Sequence, residues 1–364
     1  MRIGLQATNI YFEGPMHAGV SRTSLQLLEA ILNHNEHEYV IFVRHDSVIP
    51  AHWLGLPHVK VVRAWAKTRS WHWLGRDLEP IKHKLDAWFS VSGFVPRTPR
   101  LTKGSLVHDI FWRKYPQTYT VADIEIHERM ARNIAKYSTF IACNSLATAH
   151  DFGEAYGVNP DKFLALPFGI GQAGSSSTDA PRLKSLPTEN EYIFSISTLE
   201  PRKNLPMLFE AFAQISTRYP GLDLVVAGAK GWKTDGIADR VAALGLQNKI
   251  HFLGFVPDEE VPALFRHSAM AVTASLEEGF GVPVLEAMTY GTLVACSNSP
   301  ALREVGGEVP FYFDPTDCDS IVTGISEAIE LKSRKERIEA GIQRSKNFSW
   351  SKSADQLLQR IVSL

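Results

Sequence analysis

Short apolar runs alternate with longer amphipathic stretches along nearly the whole chain, and this alternation is the strongest constraint on its fold. Arg2–Leu5 has the composition of a strand, whereas Ser21–Asn33 carries apolar residues at helical spacing. The pattern continues with a predicted helix at Asp123–Tyr137 and predicted strands at Tyr39–Val43, Val59–Val62, Ala87–Val91, Ser105–His108 and Phe140–Cys143. Alternating strands and helices predict parallel sheets covered by helices on both faces, the doubly wound α/β fold.

The alternation is interrupted at Phe168–Glu191, where Gly, Ser, Pro and Thr dominate and no apolar period is present, as in a linker. A second series follows, with strands predicted at Tyr192–Ser197, Leu222–Ala227, Ile250–Leu253, Met270–Thr273 and Leu293–Ser297. We therefore expect two Rossmann-like domains, residues 1–170 and 171–349. Ligands of such sheets bind at the carboxyl ends of the strands, so the cleft between two facing domains is the expected site.

Composition excludes several classes of protein. Lys and Arg total 38 against 39 Asp and Glu, so the basic excess of a nucleic-acid binder is missing. The three cysteines, Cys143, Cys296 and Cys318, are too far apart for a disulfide scaffold or a metal finger, which favours a cytoplasmic location. The first ten residues lack a signal-peptide core, and no run of about 18 apolar residues is present, so no membrane span is expected.

The strongest local motif is TASLEEGFGVPVLEAMTYG, residues 273–291, in which a predicted strand leads through a glycine loop into a helix. Gly279 and Gly281 let the backbone approach a ligand closely, and the free N–H groups at the helix start favour a phosphate. Glu278 precedes this anion site and Glu286 lies about one turn inside the helix. Carboxylates at these two levels could bind hydroxyl groups on either side of a diphosphate, although helix capping is the simpler alternative for each.

A second motif, SISTLEPRKN at residues 195–204, places two cations at the end of another predicted strand. Arg202 and Lys203 lie just before the helix that begins near Asn204. Two cations beside a helix N-terminus make a complementary anion site. The alternative for both side chains is an ordinary surface salt bridge.

These motifs resemble those of the retaining glycosyltransferases of family 4. EGFGVPVLE matches the family's E-x7-E motif, and LEPRKN, GFVPDEE at residues 254–260, FSWSKSADQLL at residues 348–358 and MHAGVSR at residues 16–22 match its other segments. The resemblance covers essentially the whole chain and is strongest to bacterial polysaccharide mannosyl- and glucosyltransferases. It implies the GT-B fold, with the donor nucleotide bound mainly by the second domain and a final helix, about residues 350–364, crossing back onto the first.

The resemblance also implies a role for each matched residue. Arg202 and Lys203 would hold the donor diphosphate, Glu278 the sugar hydroxyls and Glu286 the ribose. His108 would face the sugar, although a core histidine bonded to backbone is the alternative. The remaining donor-binding positions would be Gly19, Val256, Gly279, Phe280, Gly281 and Val282.

The family reaction moves a hexose from a nucleotide diphosphate sugar, here UDP-glucose or GDP-mannose, to a glycan or lipid-linked acceptor with retention of configuration. Such enzymes need neither a metal nor a cofactor. The leaving diphosphate builds negative charge that Arg202, Lys203 and helix dipoles can stabilise. Asp317-Cys318-Asp319 has the spacing of a metal motif of other glycosyltransferases, but its place before an amphipathic helix predicts a cap instead.

Two other functions fit a two-domain architecture of this kind. A nucleotide-sugar epimerase would need no acceptor, but it is not expected to carry E-x7-E beside LEPRKN. A non-catalytic two-lobed sugar-binding protein is usually exported, which the N-terminal sequence disfavours.

One further segment, Arg63–Lys84, combines three tryptophans with six Lys and Arg residues. Interleaved Trp and basic side chains suit the headgroup zone of an anionic membrane. We therefore expect a peripheral contact with the inner face of a membrane, the alternative being an ordinary helix that buries its tryptophans.

Overall fold

The computed structural model describes residues 1–10, 19–64, 75–171, 186–187, 191–231 and 236–364. The chain divides into two compact units. The N-terminal unit comprises Met1–Gly169 together with Ser349–Leu364, and the C-terminal unit comprises Ile170–Phe348. Most of the predicted linker, residues 172–185 and 188–190, lies outside the described residues.

The N-terminal unit is built on a parallel sheet of seven strands in the order β3-β2-β1-β4-β5-β6-β7. Its strands are β1 (Arg2–Gln6), β2 (Glu38–Val43), β3 (Val59–Arg63), β4 (Ala87–Ser90), β5 (Thr102–Val107), β6 (Phe140–Cys143) and β7 (Phe163–Ala165). Its helices up to residue 169 are α1 (Val20–Leu32), α2 (Arg76–Lys82), α3 (Phe111–Lys114), α4 (Val121–Tyr137) and α5 (Leu146–Tyr156). The central strands are buried on both faces, as parallel sheets covered by helices require.

The C-terminal unit repeats this plan with a parallel sheet of six strands in the order β10-β9-β8-β11-β12-β13. Its strands are β8 (Tyr192–Ile196), β9 (Asp223–Ala227), β10 (Ile250–Gly254), β11 (Met270–Thr273), β12 (Val294–Ser297) and β13 (Phe311–Phe313). Its helices are α6 (Leu205–Arg218), α7 (Ile237–Ala243), α8 (Val261–His267), α9 (Val282–Thr289), α10 (Pro300–Gly306), α11 (Cys318–Glu330) and α12 (Arg334–Ser345). Leu208, Phe212, Ile321 and Ile325 from α6 and α11 pack on the inner strands in one core.

Helix α13 (Trp350–Val362) returns to the N-terminal unit and packs against α1. Its buried face includes Trp350, Leu357 and Ile361, and Trp350 lies against Phe168 with ring centroids 5.2 Å apart. The two tandem doubly wound sheets and this returning helix confirm the predicted GT-B fold.

Several elements were not predicted from the sequence. They include α3, α5, β7, α10 and β13, of which the two strands have three residues each and lie at sheet edges. The predicted helix cap at Asp317 is confirmed, because its Oδ1 accepts a hydrogen bond of 3.0 Å from the backbone N–H of Asp319 at the start of α11. Within the described part of the chain, no helix combines the length and the apolar character needed to cross a membrane.

Candidate active site

The two sequence motifs meet where the strand order of the C-terminal sheet reverses. Strands β8 and β11 are hydrogen-bonded neighbours, although β9 and β10 lie between them in the chain. From this central pair, the connection from β8 leads to β9 toward one edge of the sheet, and the connection from β11 leads to β12 toward the other edge. The carboxyl ends of two such strands form the crevice in which doubly wound sheets bind ligands.

The segment after β8 turns sharply before α6 begins. Pro201–Lys203 forms a single 3₁₀ turn, and Asn204 adopts a left-handed conformation with φ of 57°. The Nδ2 amide of Asn204 donates to the carbonyl of Pro315 at 2.7 Å, which fixes this unusual residue. The turn therefore holds Arg202 and Lys203 in place directly ahead of α6.

The segment after β11 presents a carboxylate to these two cations. Lys203 Nζ donates to Glu278 Oε1 at 2.6 Å, and Arg202 Nη1 donates to Glu278 Oε2 at 3.1 Å. Ser275 Oγ also donates to Glu278 Oε1, at 2.7 Å. Both carboxylate oxygens of Glu278 are thus held by donors from two loops that the sequence separates by about 75 residues.

Arg202 binds the two loops together. Its Nη1 donates to the carbonyl of Glu277 at 2.7 Å, and its own carbonyl accepts from the N–H of Leu276 at 2.9 Å. Its Nη2 donates to Glu200 Oε1 at 2.5 Å. These contacts make the two motifs one continuous structure rather than two adjacent loops.

Burial makes the electrostatics of this cluster strong. Burial alone would raise the pKa of Glu278, but the charges of Lys203 and Arg202 outweigh it and hold that pKa at about 2. Burial lowers the pKa of Lys203, as does the neighbouring Arg202, while Glu278 and Glu200 oppose the shift. Glu278 is therefore an anion at neutral pH, and its charge favours the ammonium form of Lys203.

The glycine loop leads directly into α9. Gly281 caps this helix with φ of 105°, and a Cβ there would overlap the side chain of Leu302, so the position requires glycine. Val282 is the first residue of α9, and Pro283 occupies its first turn. Gly279 and Phe280 are buried beside it, and the Phe280 ring packs edge-on against Phe348.

The other predicted donor-binding residues occupy distinct places. Glu286 is buried, at 2% exposure, one turn inside α9. Val256 is buried in the segment after β10, two residues beyond Gly254, which has a φ of 65°. Both belong to the C-terminal unit. Gly19 belongs to the N-terminal unit, where it caps α1 with φ of 53°.

His108 lies immediately after β5 in the N-terminal unit. Its Nε2 is 3.0 Å from the carbonyl oxygen of Val91, and a carbonyl only accepts, so Nε2 carries the proton. Burial lowers the pKa of His108 against the opposing effects of Val91 and Asp109. The ring is therefore neutral with Nδ1 as an acceptor, a state that also fits the core-histidine alternative.

Two further side chains of this cluster, those of Glu200 and Ser275, were not predicted from the sequence. Glu200 lies inside LEPRKN, and Ser275 stands three residues before Glu278, in the loop that leads to α9. Within the described residues, no group of three or more His, Cys, Asp or Glu side chains is arranged to hold a metal ion.

The predicted basic patch at Arg63–Lys84 needs one correction. Residues 65–74, which include its three tryptophans, lie outside the described residues. Arg76 does not present its charge to a surface, because it is buried, lies 3.5 Å from Asp77 and stacks over the ring of Phe94. The described remainder exposes Leu78 and Ile81 on α2.

Comparison with known proteins connects this site to a family. Residues 177–344 match the family model of glycosyl transferases group 1. O-antigen chain mannosyltransferase B of Escherichia coli is 37% identical over 172 residues, which are 46% of this chain and 44% of that protein. The MMP alpha-(1->4)-mannosyltransferase of Mycolicibacterium hassiacum is 28% identical over 252 residues, 68% of this chain and 58% of that protein.

The chain thus matches about half the length of these relatives. Among solved structures, HepE of Anabaena in complex with UDP and glucose superimposes with a TM-score of 0.76 at 18% identity, and the match covers all of both chains. This likeness concerns the fold. The match over residues 177–344 includes the Lys203–Glu278 cluster and α9, and it confirms the resemblance of the motifs: this part of the chain is a glycosyl transferases group 1 domain.

Proposed function

We propose that the chain transfers a hexose from a nucleotide diphosphate sugar to a glycan or lipid-linked acceptor. The observation that carries the proposal is the buried cluster of Arg202, Lys203 and Glu278 ahead of the N-terminus of α9. Cations and free helix N–H groups bind a diphosphate, and carboxylates bind sugar and ribose hydroxyls. Glu278 and Glu286 supply those carboxylates at the two levels that such a donor needs.

In the proposed reaction the bond between the sugar C1 and the diphosphate oxygen breaks, and a bond from C1 to an acceptor hydroxyl oxygen forms on the same face. The negative charge that develops on the leaving diphosphate is stabilised by Lys203, by Arg202 and by the dipole of α9. The acceptor proton passes to a leaving phosphate oxygen. No protein nucleophile and no metal take part in this scheme, and the anomeric configuration is retained.

For the donor we propose GDP-mannose, with UDP-glucose as the alternative. Both curated relatives reported above are mannosyltransferases by name. HepE was solved with UDP and glucose, but at 18% identity this supports the alternative more weakly. We propose that the enzyme acts in surface polysaccharide synthesis, since the first of these relatives is named an O-antigen chain mannosyltransferase.

The test is calorimetric titration of the purified protein with GDP, UDP and dTDP, first with EDTA and then with Mg²⁺. We expect one nucleotide to bind in EDTA with clear preference over the other two. If no nucleotide binds, or if binding requires Mg²⁺, the proposed donor site is wrong. The anomeric configuration of the product, measured by NMR with the preferred donor, then tests retention.

We also propose peripheral membrane contact through the described part of the Arg63–Lys84 patch. Helix α2 exposes Leu78, at 56%, and Ile81, at 65%, beside Lys82 and Lys84. Apolar side chains flanked by lysines suit an anionic bilayer surface. Flotation with phosphatidylglycerol vesicles at low salt tests this contact; it should decrease in the Leu78→Asp/Ile81→Asp variant, and absence of wild-type binding would refute it.

A further inference from the structure

The carboxylate of Glu200 is a member of the buried cluster that was not predicted from the sequence. Its side chain is 7% exposed, and its Oε1 accepts from Arg202 Nη2 at 2.5 Å. Its backbone is held on both sides. Leu199 pairs with the segment after β9 through hydrogen bonds to Ala229 and Gly231, and the carbonyl of Glu200 accepts from the N–H of Lys203. These contacts therefore hold both the backbone and the side chain of Glu200 in place.

The contact with Glu200 fixes the orientation of the Arg202 guanidinium. A guanidinium is planar, and its donors cannot move independently of one another. With Nη2 held by Glu200, Nη1 is directed at the carbonyl of Glu277 and at Glu278 Oε2. The orientation of Glu278, and hence that of the ammonium of Lys203, depends on where this guanidinium plane lies.

We propose that Glu200 is a positioning residue, which orients Arg202 and through it both Glu278, assigned to the sugar hydroxyls, and Lys203, assigned to the donor diphosphate. The inference rests on the proposed function, since it assigns Glu200 a part in the same site. Charge supports it as well. Glu200 and Glu278 balance Arg202 and Lys203, so that the buried cluster is neutral before the donor arrives, and Glu200 is one of the two anions that oppose the lowering of the Lys203 pKa.

The experiment compares Glu200→Gln with Glu200→Ala. Both variants remove the same negative charge, but only Gln retains a side-chain oxygen that can accept from Arg202 Nη2. We measure the affinity for GDP and UDP by calorimetry. Glu200→Gln should bind the preferred nucleotide at least as tightly as the wild type does, because a competing anion has gone. Glu200→Ala should bind about tenfold more weakly than Glu200→Gln.

A double-mutant cycle shows whether the effect passes through Arg202. In the Arg202→Ala background the difference between Ala and Gln at position 200 should disappear. The matched control is Asp223→Ala, which removes another largely buried carboxylate of the same unit, bonded to Lys249 and His251 at the opposite end of the sheet. It should lower the thermal midpoint without changing nucleotide affinity.

The outcomes separate the two proposals. Equal affinity of the Ala and Gln variants, or a difference that persists without Arg202, overturns the positioning role and leaves the donor site standing. If the wild type binds neither GDP nor UDP, the proposed function fails, and the role of Glu200 fails with it. A circular dichroism spectrum and a cooperative melt for each variant establish that lost binding is not lost folding.

Discussion

Lys203 Nζ lies 2.6 Å from Oε1 of Glu278, with the two side chains only 12% and 9% exposed. Each residue belongs to a different sequence motif, and each is the other's counter-ion. A buried pair of this kind is costly to break on one side, because the remaining charge loses its compensation. The pair therefore connects the stability of the two loops with the chemistry proposed for them.

Replacement of Lys203 should reduce catalysis as well as stability. Lys203→Ala removes a cation placed where leaving-group charge develops, and we expect turnover to fall roughly 10²–10³-fold. The measurement is the initial rate of sugar release from GDP-mannose or UDP-glucose. Lys249→Ala, which breaks the ion pair with Asp223 ahead of β10, is the control and should retain activity. Retained turnover in Lys203→Ala would exclude the assigned role.

Removal of the charge of Glu278 should strengthen the binding of a nucleoside diphosphate. The diphosphate and Glu278 compete for the same ammonium of Lys203, so that Glu278→Gln should bind GDP or UDP severalfold more tightly while turnover of the nucleotide sugar decreases. Calorimetry with the sugar-free nucleotide isolates this competition, because GDP and UDP make no sugar contact. Weaker binding by this variant would show that Glu278 does not compete for Lys203.

The second glutamate of the motif should behave in the opposite way. Glu286 is buried on α9 and is assigned to the ribose hydroxyls, so Glu286→Gln replaces an anionic acceptor by a neutral amide. We expect the affinity for GDP or UDP to fall about tenfold, with a smaller effect on turnover at saturating donor. If the two variants change nucleotide affinity in the same direction, at least one of the two assignments is wrong.

Acid should destabilise the protein partly through Glu278. Its pKa in the folded chain is about 2, against an ordinary value of 4.5, so between these values the unfolded state binds a proton that the folded state does not. The stabilisation is complete above about pH 4.5 and is lost as the pH falls toward 2. Urea unfolding of the wild type should therefore show a steeper loss of stability below pH 4.5 than Glu278→Gln, by up to about 1.4 kcal/mol per pH unit. Identical slopes would contradict the depressed pKa.

Asn204 offers a test of the turn that presents the two cations. Its φ of 57° is costly for residues with a Cβ other than Asn and Asp, and its side chain binds the carbonyl of Pro315. Asn204→Val should lower stability by about 2 kcal/mol or more and should also reduce nucleotide affinity. Asn204→Gly keeps the backbone conformation and loses only the side-chain bond. Its thermal midpoint should therefore lie between those of the wild type and Asn204→Val.

Periodicity alone predicted most of the fold, because buried parallel strands are continuous apolar runs and the helices between them are amphipathic. The predicted bounds of β6 and β11 agree with the structure residue for residue. Three-residue edge strands such as β7 and β13 were not predicted, because so short a segment shows no detectable hydrophobic period.

The site was predicted as two separate anion-binding motifs, and the ion pair that joins them was not. That pair depends on β8 lying beside β11, a neighbour relation that crosses two intervening strands and that spacing along the chain does not encode. Glu200 was missed for the same reason: its importance comes from what Arg202 contacts on the other loop.

The return of α13 to the N-terminal unit has a consequence for the order in which the protein is made. Topologically, Ile170–Phe348 is an insertion within the N-terminal unit. During synthesis this inserted unit leaves the ribosome before Trp350–Val362 does, and domains generally fold as units while the chain grows. The C-terminal unit can therefore fold first. Until α13 is synthesised, the face of α1 that α13 covers stays exposed to water. The N-terminal unit, although begun first, is the last to be completed.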